Sequence, residues 1–158
     1  MAYNIFDVLD KQIDFKKQII LNFEDTLQNE YREERVRTIL KILKNEIAKQ
    51  IIDFENKKKN LKQNYLEEEL EVNFLAYDKF SKDFIGFKNT FHEKNYSNIK
   101  GVFEYLVALE QKNYSILIGL KDKMYALDKK CGKEVHLEID KILDEAIIRI
   151  NGLKKFVL

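Results

Sequence analysis

The stretch Phe103-Glu-Tyr-Leu-Val-Ala-Leu-Glu-Gln-Lys-Asn-Tyr-Ser-Ile-Leu-Ile118 decides the fold. Phe103, Leu106, Glu110, Asn113 and Leu117 step by four and three, and Leu120 and Met124 continue the series. Residues so spaced share one face of a helix. Ser97 and Asn98 precede the stripe as residues suited to accept the free N–H groups of a first turn. Gly132 beyond its end suits a left-handed cap. Further along, Val135, Ile139, Ile142, Ala146, Arg149, Leu153 and Phe156 form a second stripe, so residues from about 97 to 158 read as a helical hairpin.

The N-terminal part repeats the pattern. One stripe runs Phe6, Leu9, Ile13, Lys16, Ile20, Phe23 and Leu27, with Asn4 as N-cap and Asp7 as first-turn carboxylate. The next runs Val36, Leu40, Leu43, Ile47, Gln50 and Phe54 and fades into Lys57-Lys58-Lys59. The polar turn Asn29-Glu30-Tyr31-Arg32 between them is short, which makes the two helices antiparallel neighbours in a first hairpin of about residues 4–58. About residues 59–96 remain as a crossover, too long for a structureless loop inside one domain. In it Phe74, Tyr77, Phe80, Phe84, Phe87 and Phe91 form an aromatic stripe, expected to pack across the bundle or against the same element of a second subunit. A flavin or haem pocket is the sharper reading of those rings, but no axial ligand or phosphate-binding loop accompanies it. The expected fold class is all-α: two antiparallel helical hairpins joined by a long, partly helical, aromatic-rich crossover, forming one domain over residues 1–158.

Composition agrees. A chain of 158 residues with no proline and five glycines contains little that interrupts helices. Its 28 Lys and Arg against 27 Asp and Glu give a net charge of +1, so no overall field attracts nucleic acid or an anionic membrane. No apolar run approaches the roughly 18 residues of a spanning helix. The N-terminal segment carries Asp7 and Asp10 where a signal peptide has basic and then apolar residues, and a cytoplasmic location is expected. Cys131 is the single cysteine, which excludes an internal disulfide and any multi-cysteine metal site. Cys131 and His136 are close in sequence, yet no orienting third group or oxyanion donor accompanies them. The runs Glu67-Glu68-Glu69 and Lys57-Lys58-Lys59 read as solvated helix faces.

Function is sought in the polar residues on the apolar stripes: Lys16, Gln50, Glu110, Asn113 and Arg149. An isolated buried charge costs several kcal/mol unless paired. One reading is a polar layer in which Glu110 accepts hydrogen bonds from Lys16 and Arg149 while Gln50 and Asn113 fill the remaining valences. The other is that Lys16 and Arg149 extend to solvent along their aliphatic stems.

The stretches Val8-Leu-Asp-Lys-Gln-Ile-Asp-Phe-Lys-Lys-Gln-Ile-Ile-Leu-Asn-Phe23 and Phe103–Ile118 resemble the first and third bundle helices of rubrerythrin-like proteins, members of the ferritin-like superfamily. The segment Phe74 to Phe91 is similar to the aromatic stretch before that third helix. The resemblance implies a ferritin-like four-helix bundle, in which each hairpin supplies a Glu from one helix and Glu-x-x-His from the other to a di-iron centre. Here the first Glu position falls on Lys16, its counterpart on Glu110, and the two Glu-x-x-His pairs on Ile47 with Gln50 and on Ala146 with Arg149. Only Glu110 matches a ligand. A one-residue change of register places Glu46 and Glu145 at ligand positions, with Lys49 and Ile148 where histidines belong. The set Glu46, Glu110 and Glu145 is then a fallback site for iron or manganese. The seam stripes favour Ile47 and Ala146 as the inward residues, since one residue turns a helix by about 100°.

The leading expectation is therefore a degenerate ferritin-like bundle without a di-iron centre, acting as a binding or scaffolding protein, with a homodimer or a protein partner, no nucleic acid and no membrane. No catalytic residue and no cofactor is expected. The alternatives are a ferritin-like redox or storage protein with an atypical carboxylate site, and a helical chaperone or adaptor that opens to receive a partner helix.

Overall fold

The computed structural model describes residues 3–29, 33–89, 96–127 and 133–157. Its elements are β1 (Tyr3–Asn4), α1 (Ile5–Asn29), α2 (Glu34–Asn64), a single 3-10 turn (Glu67–Leu70), β2 (Glu71–Val72), α3 (Phe74–Lys88), α4 (Ile99–Leu127) and α5 (Lys133–Lys154). Among the described residues the chain is almost wholly helical, and no helix is long and apolar enough to cross a membrane.

Local chemistry sets the helix starts. Asn4 Oδ1 accepts the Phe6 N–H at 2.9 Å while Asp7 Oδ2 accepts the Asn4 N–H at 2.9 Å, a reciprocal cap at α1. Asn98 Oδ1 accepts the Gly101 N–H at 2.7 Å at α4. Asn73, which the sequence reading passed over, caps α3 by accepting the N–H groups of Leu75 and Ala76. Glu30, Tyr31 and Arg32 of the expected turn, Phe91 and His92 of the crossover, and Cys131 with the Gly132 cap lie outside the described residues.

Partner residues fix the helix directions. Lys58 pairs with Asp10, and Arg37 Nη1 donates to the Leu27 carbonyl at 2.9 Å, so α2 runs antiparallel to α1. Gln12 meets Asn113 and Lys16 meets Glu110, so α4 is also antiparallel to α1. Lys121 meets Asp140 at 2.6 Å and Phe103 stacks on Phe156, so α5 is antiparallel to α4. The four long helices α1, α2, α4 and α5 run up, down, down, up, so α2 and α4 are parallel. Consecutive parallel helices need a connection that returns along the bundle, and the crossover provides it. It starts beside the N-terminus, where β2 pairs antiparallel with β1 (Tyr3 opposite Val72, Asn4 opposite Glu71). It then follows α1: Tyr77 stacks on Tyr3, Phe84 and Phe87 meet Phe15, and Tyr96 reaches Phe23. Phe80, Phe84 and Phe87 are buried within the chain itself.

The basic run differs from expectation. α2 does not end there but continues to Asn64, because buried Leu61 extends its stripe by two turns beyond Phe54. Lys57 and Lys58 are not a solvated face: Lys58 folds onto Asp10 and Lys57 lies between Glu138 and Glu145. The glutamates 67–69 are exposed, but on the 3-10 turn, which buried Leu70 anchors.

Candidate functional site

Each long helix contributes one polar side chain to a layer at mid-bundle: Lys16 from α1, Gln50 from α2, Glu110 from α4 and Arg149 from α5. Lys16 is fully buried and Glu110 is 3% exposed. The Lys16 ammonium donates to Glu110 Oε1, a charge-assisted bond inside the core. Lys16 does not extend to solvent. Arg149 approaches the other carboxylate oxygen, with Nε 3.9 Å from Glu110 Oε2, too far for a hydrogen bond. Phe54 lies against the guanidinium, 5.8 Å from ring centre to Cζ. Asn113 takes no part in this layer. Its side-chain amide pairs with that of Gln12 through two hydrogen bonds of 2.8 and 3.0 Å.

Four side-chain atoms of the layer are buried without a hydrogen bond: Gln50 Oε1, Glu110 Oε2, Arg149 Nε and Arg149 Nη2. They sit between two concavities. On one side is a polar groove of about 730 Å³ between α2 and α5, lined by Asp53, Lys57, Glu138 and Glu145 among others. On the other is a cavity of about 430 Å³ bounded by α2, α4 and α5. Gln50 and Arg149 line both.

The two sets of candidate ligand positions differ in burial. Ile47 and Ala146 are buried, whereas Glu46 and Glu145 are exposed, as are Lys49 and Ile148. Glu46 pairs with Lys49 at 3.1 Å, and Glu145 lies 3.6 Å from Lys57. Of the fallback carboxylates Glu46, Glu110 and Glu145, Glu110 alone is in the core. Among the described residues no group of three or more His, Cys, Asp or Glu side chains is placed to share a metal ion. His136 is instead stacked on Tyr125 at 4.1 Å.

Burial pushes the Lys16 ammonium down from 10.5 to about 8, with Glu110 opposing the shift and Arg149 reinforcing it. The folded amine therefore holds its proton less tightly than the unfolded one. Between about pH 8 and 10.5 the unfolded chain binds more protons, and the Lys16 contribution to stability rises with pH across that window. The span corresponds to about 3 kcal/mol. The expected result is that urea unfolding finds wild type gaining on the Lys16→Met variant as pH rises from 7 to 10. A difference that stays constant would contradict the titration.

Sequence reasoning missed Gln12, Asn22 and Thr26, all buried on α1. The signal was a second stripe: Val8, Gln12, Phe15, Ile19, Asn22 and Thr26 step by four and three alternately. Tyr96 completes this face, with its hydroxyl 2.7 Å from Thr26 Oγ1 and 3.1 Å from Asn22 Oδ1.

In comparisons by sequence and by structure, no family model, curated protein or solved structure matches the chain.

Proposed function

We propose that the chain is a ferritin-like bundle in which its own cationic side chains stand where relatives hold metal ions, and that it acts as a binding or scaffolding protein. The observation that carries this reading is the fully buried Lys16 paired with Glu110 at mid-bundle. The up, down, down, up order with its long return crossover supports the ferritin-like part. At the six positions that the resemblance assigns to ligands stand Lys16, Ile47, Gln50, Glu110, Ala146 and Arg149. One carboxylate and no imidazole is a donor set that does not fit a di-iron centre, and an ammonium beside a guanidinium repels a divalent cation. Ile52 and Ile148, more than half exposed on α2 and α5, supply apolar surface for contact with a second copy or another protein.

Elemental analysis tests the proposal on protein expressed with supplemented iron, manganese and zinc and purified without chelator or histidine tag. Metal well below one ion per chain is the expected result. One or two tightly held ions per chain would overturn it, and sedimentation of the same sample reads the expected homodimer.

A further inference from the structure

The cavity of about 430 Å³ has one apolar end and one polar end. Its volume is within the roughly 300–1,000 Å³ of small-molecule sites. Ile39, Leu43 and Ile47 of α2 face Phe103 and Leu106 of α4 and Leu153 of α5. The stacked rings of Phe103 and Phe156, 4.5 Å apart, line the far end, where Phe156 is exposed. All the inward polar groups, Gln50, Glu110 and Arg149, lie at the other. Glu46 also borders the cavity but is exposed and tied to Lys49.

Charge at the polar end is unbalanced. Lys16 and Arg149 bring two cations against one carboxylate, and Lys16 already occupies Glu110 Oε1. Arg149 Nε and Nη2 are buried and donate to nothing. These two nitrogens form one edge of the guanidinium, the edge that binds both oxygens of a carboxylate at once. A water could satisfy one of them but would leave the apolar walls without a partner.

We propose that this cavity binds a medium-chain fatty carboxylate, its head group accepting the paired N–H bonds of Arg149 and its alkyl chain lying between α2, α4 and α5 towards Phe103. From Ile39 to Gln50 the helix spans about 16 Å at 1.5 Å per residue. An extended alkyl chain advances roughly 1.25 Å per carbon, given carbon–carbon bonds of about 1.5 Å, so about thirteen carbons match the full span and a chain of about ten fits within it. The inference stands on the cavity and its unpaired guanidinium edge, not on the ferritin-like resemblance, and the metal content of the protein does not bear on it.

Gly152 borders the cavity, and a Cβ added there meets nothing within 4 Å, so a side chain can be placed at the mouth without a clash. Titration calorimetry of the full chain with decanoate, decanol and butyrate tests the proposal. Saturable binding of one decanoate per chain is expected, with decanol and butyrate at least tenfold weaker. Arg149→Met is expected to weaken decanoate at least tenfold and leave decanol unchanged, and Gly152→Phe to weaken both at least tenfold. Far-ultraviolet circular dichroism checks the fold of each variant. If Arg149→Met does not fold, Gly152→Phe and the decanol comparison decide. Absence of decanoate binding to the folded wild type, equal affinity for decanol, or wild-type binding by Gly152→Phe would each overturn it.

Discussion

Replacing Glu110 by alanine is expected to destabilise the protein by about 3–5 kcal/mol at neutral pH, the usual cost of leaving a buried charge without its partner. Among the described residues Glu110 is the one carboxylate paired with Lys16, and Lys16 is fully buried. The size of the loss depends on pH in a way that packing defects do not share. Without Glu110, the interaction that raises the Lys16 pKa is gone, so the ammonium deprotonates at still lower pH than about 8. Near pH 9.5 most of the Lys16 in wild type is already neutral, so the Glu110→Ala penalty shrinks. Urea midpoints of both proteins at pH 7 and 9.5 measure this. Glu145→Ala is the control, since its carboxylate is half exposed and its ion pair with Lys57 is long, and it is expected to cost under about 1 kcal/mol. Equal small losses for the two variants would show that the pair does not hold the layer together. The double variant Lys16→Met with Glu110→Leu removes both charges, and its stability is expected to return to within about 1 kcal/mol of wild type or to exceed it.

The helices were legible because each carries a continuous stripe and no proline interrupts it. The inward positions of Ile47 and Ala146 followed from the same stripes, since a helix buries the residues on one face whatever its neighbours are. The Lys16–Glu110 pair was legible for a related reason: two opposite charges on facing seams have few alternatives to meeting. What a single stripe does not report is how many neighbours a helix has. α1 packs against α2 and α3, reaches α4 through Gln12 and Lys16, and is buried on two faces, so Gln12 lies as deep as Lys16 although the first stripe passes through Ile13. That second face claims Asn113 for Gln12, and the polar layer is left with fewer donors and acceptors than its sequence implied. Nor does periodicity show where a helix ends when lysines follow its last bulky residue: Lys57 and Lys58 interact with neighbouring helices, and Leu61 continues the seam.

The aromatic crossover gives the other large expected effect. Phe84 is 1% exposed and its ring meets Phe15 edge-on at 6.3 Å, Phe87 edge-on at 6.1 Å and Phe80 tilted at 6.1 Å. Phe84→Ala removes a buried ring and leaves a cavity that three other rings cannot collapse to fill, a change that costs about 3–5 kcal/mol. For a domain whose whole stability is of the order of 5–15 kcal/mol, that is enough to lower the melting temperature by many degrees. Ile85 is the neighbouring control: on the same helix but 53% exposed, it is expected to lose less than about 1 kcal/mol on change to alanine. The concentration dependence of the melting temperature separates the two places where these rings were expected to pack. Rings buried within one chain give a large Phe84 penalty that is the same at every protein concentration, because the substitution then leaves association with a second copy unchanged and dilution shifts wild type and variant alike. Rings that pack against a second subunit instead give a penalty that grows on dilution. The contacts of Phe84 and Phe87 with Phe15, and of Tyr96 with Phe23, lie within one chain, and the first result is expected.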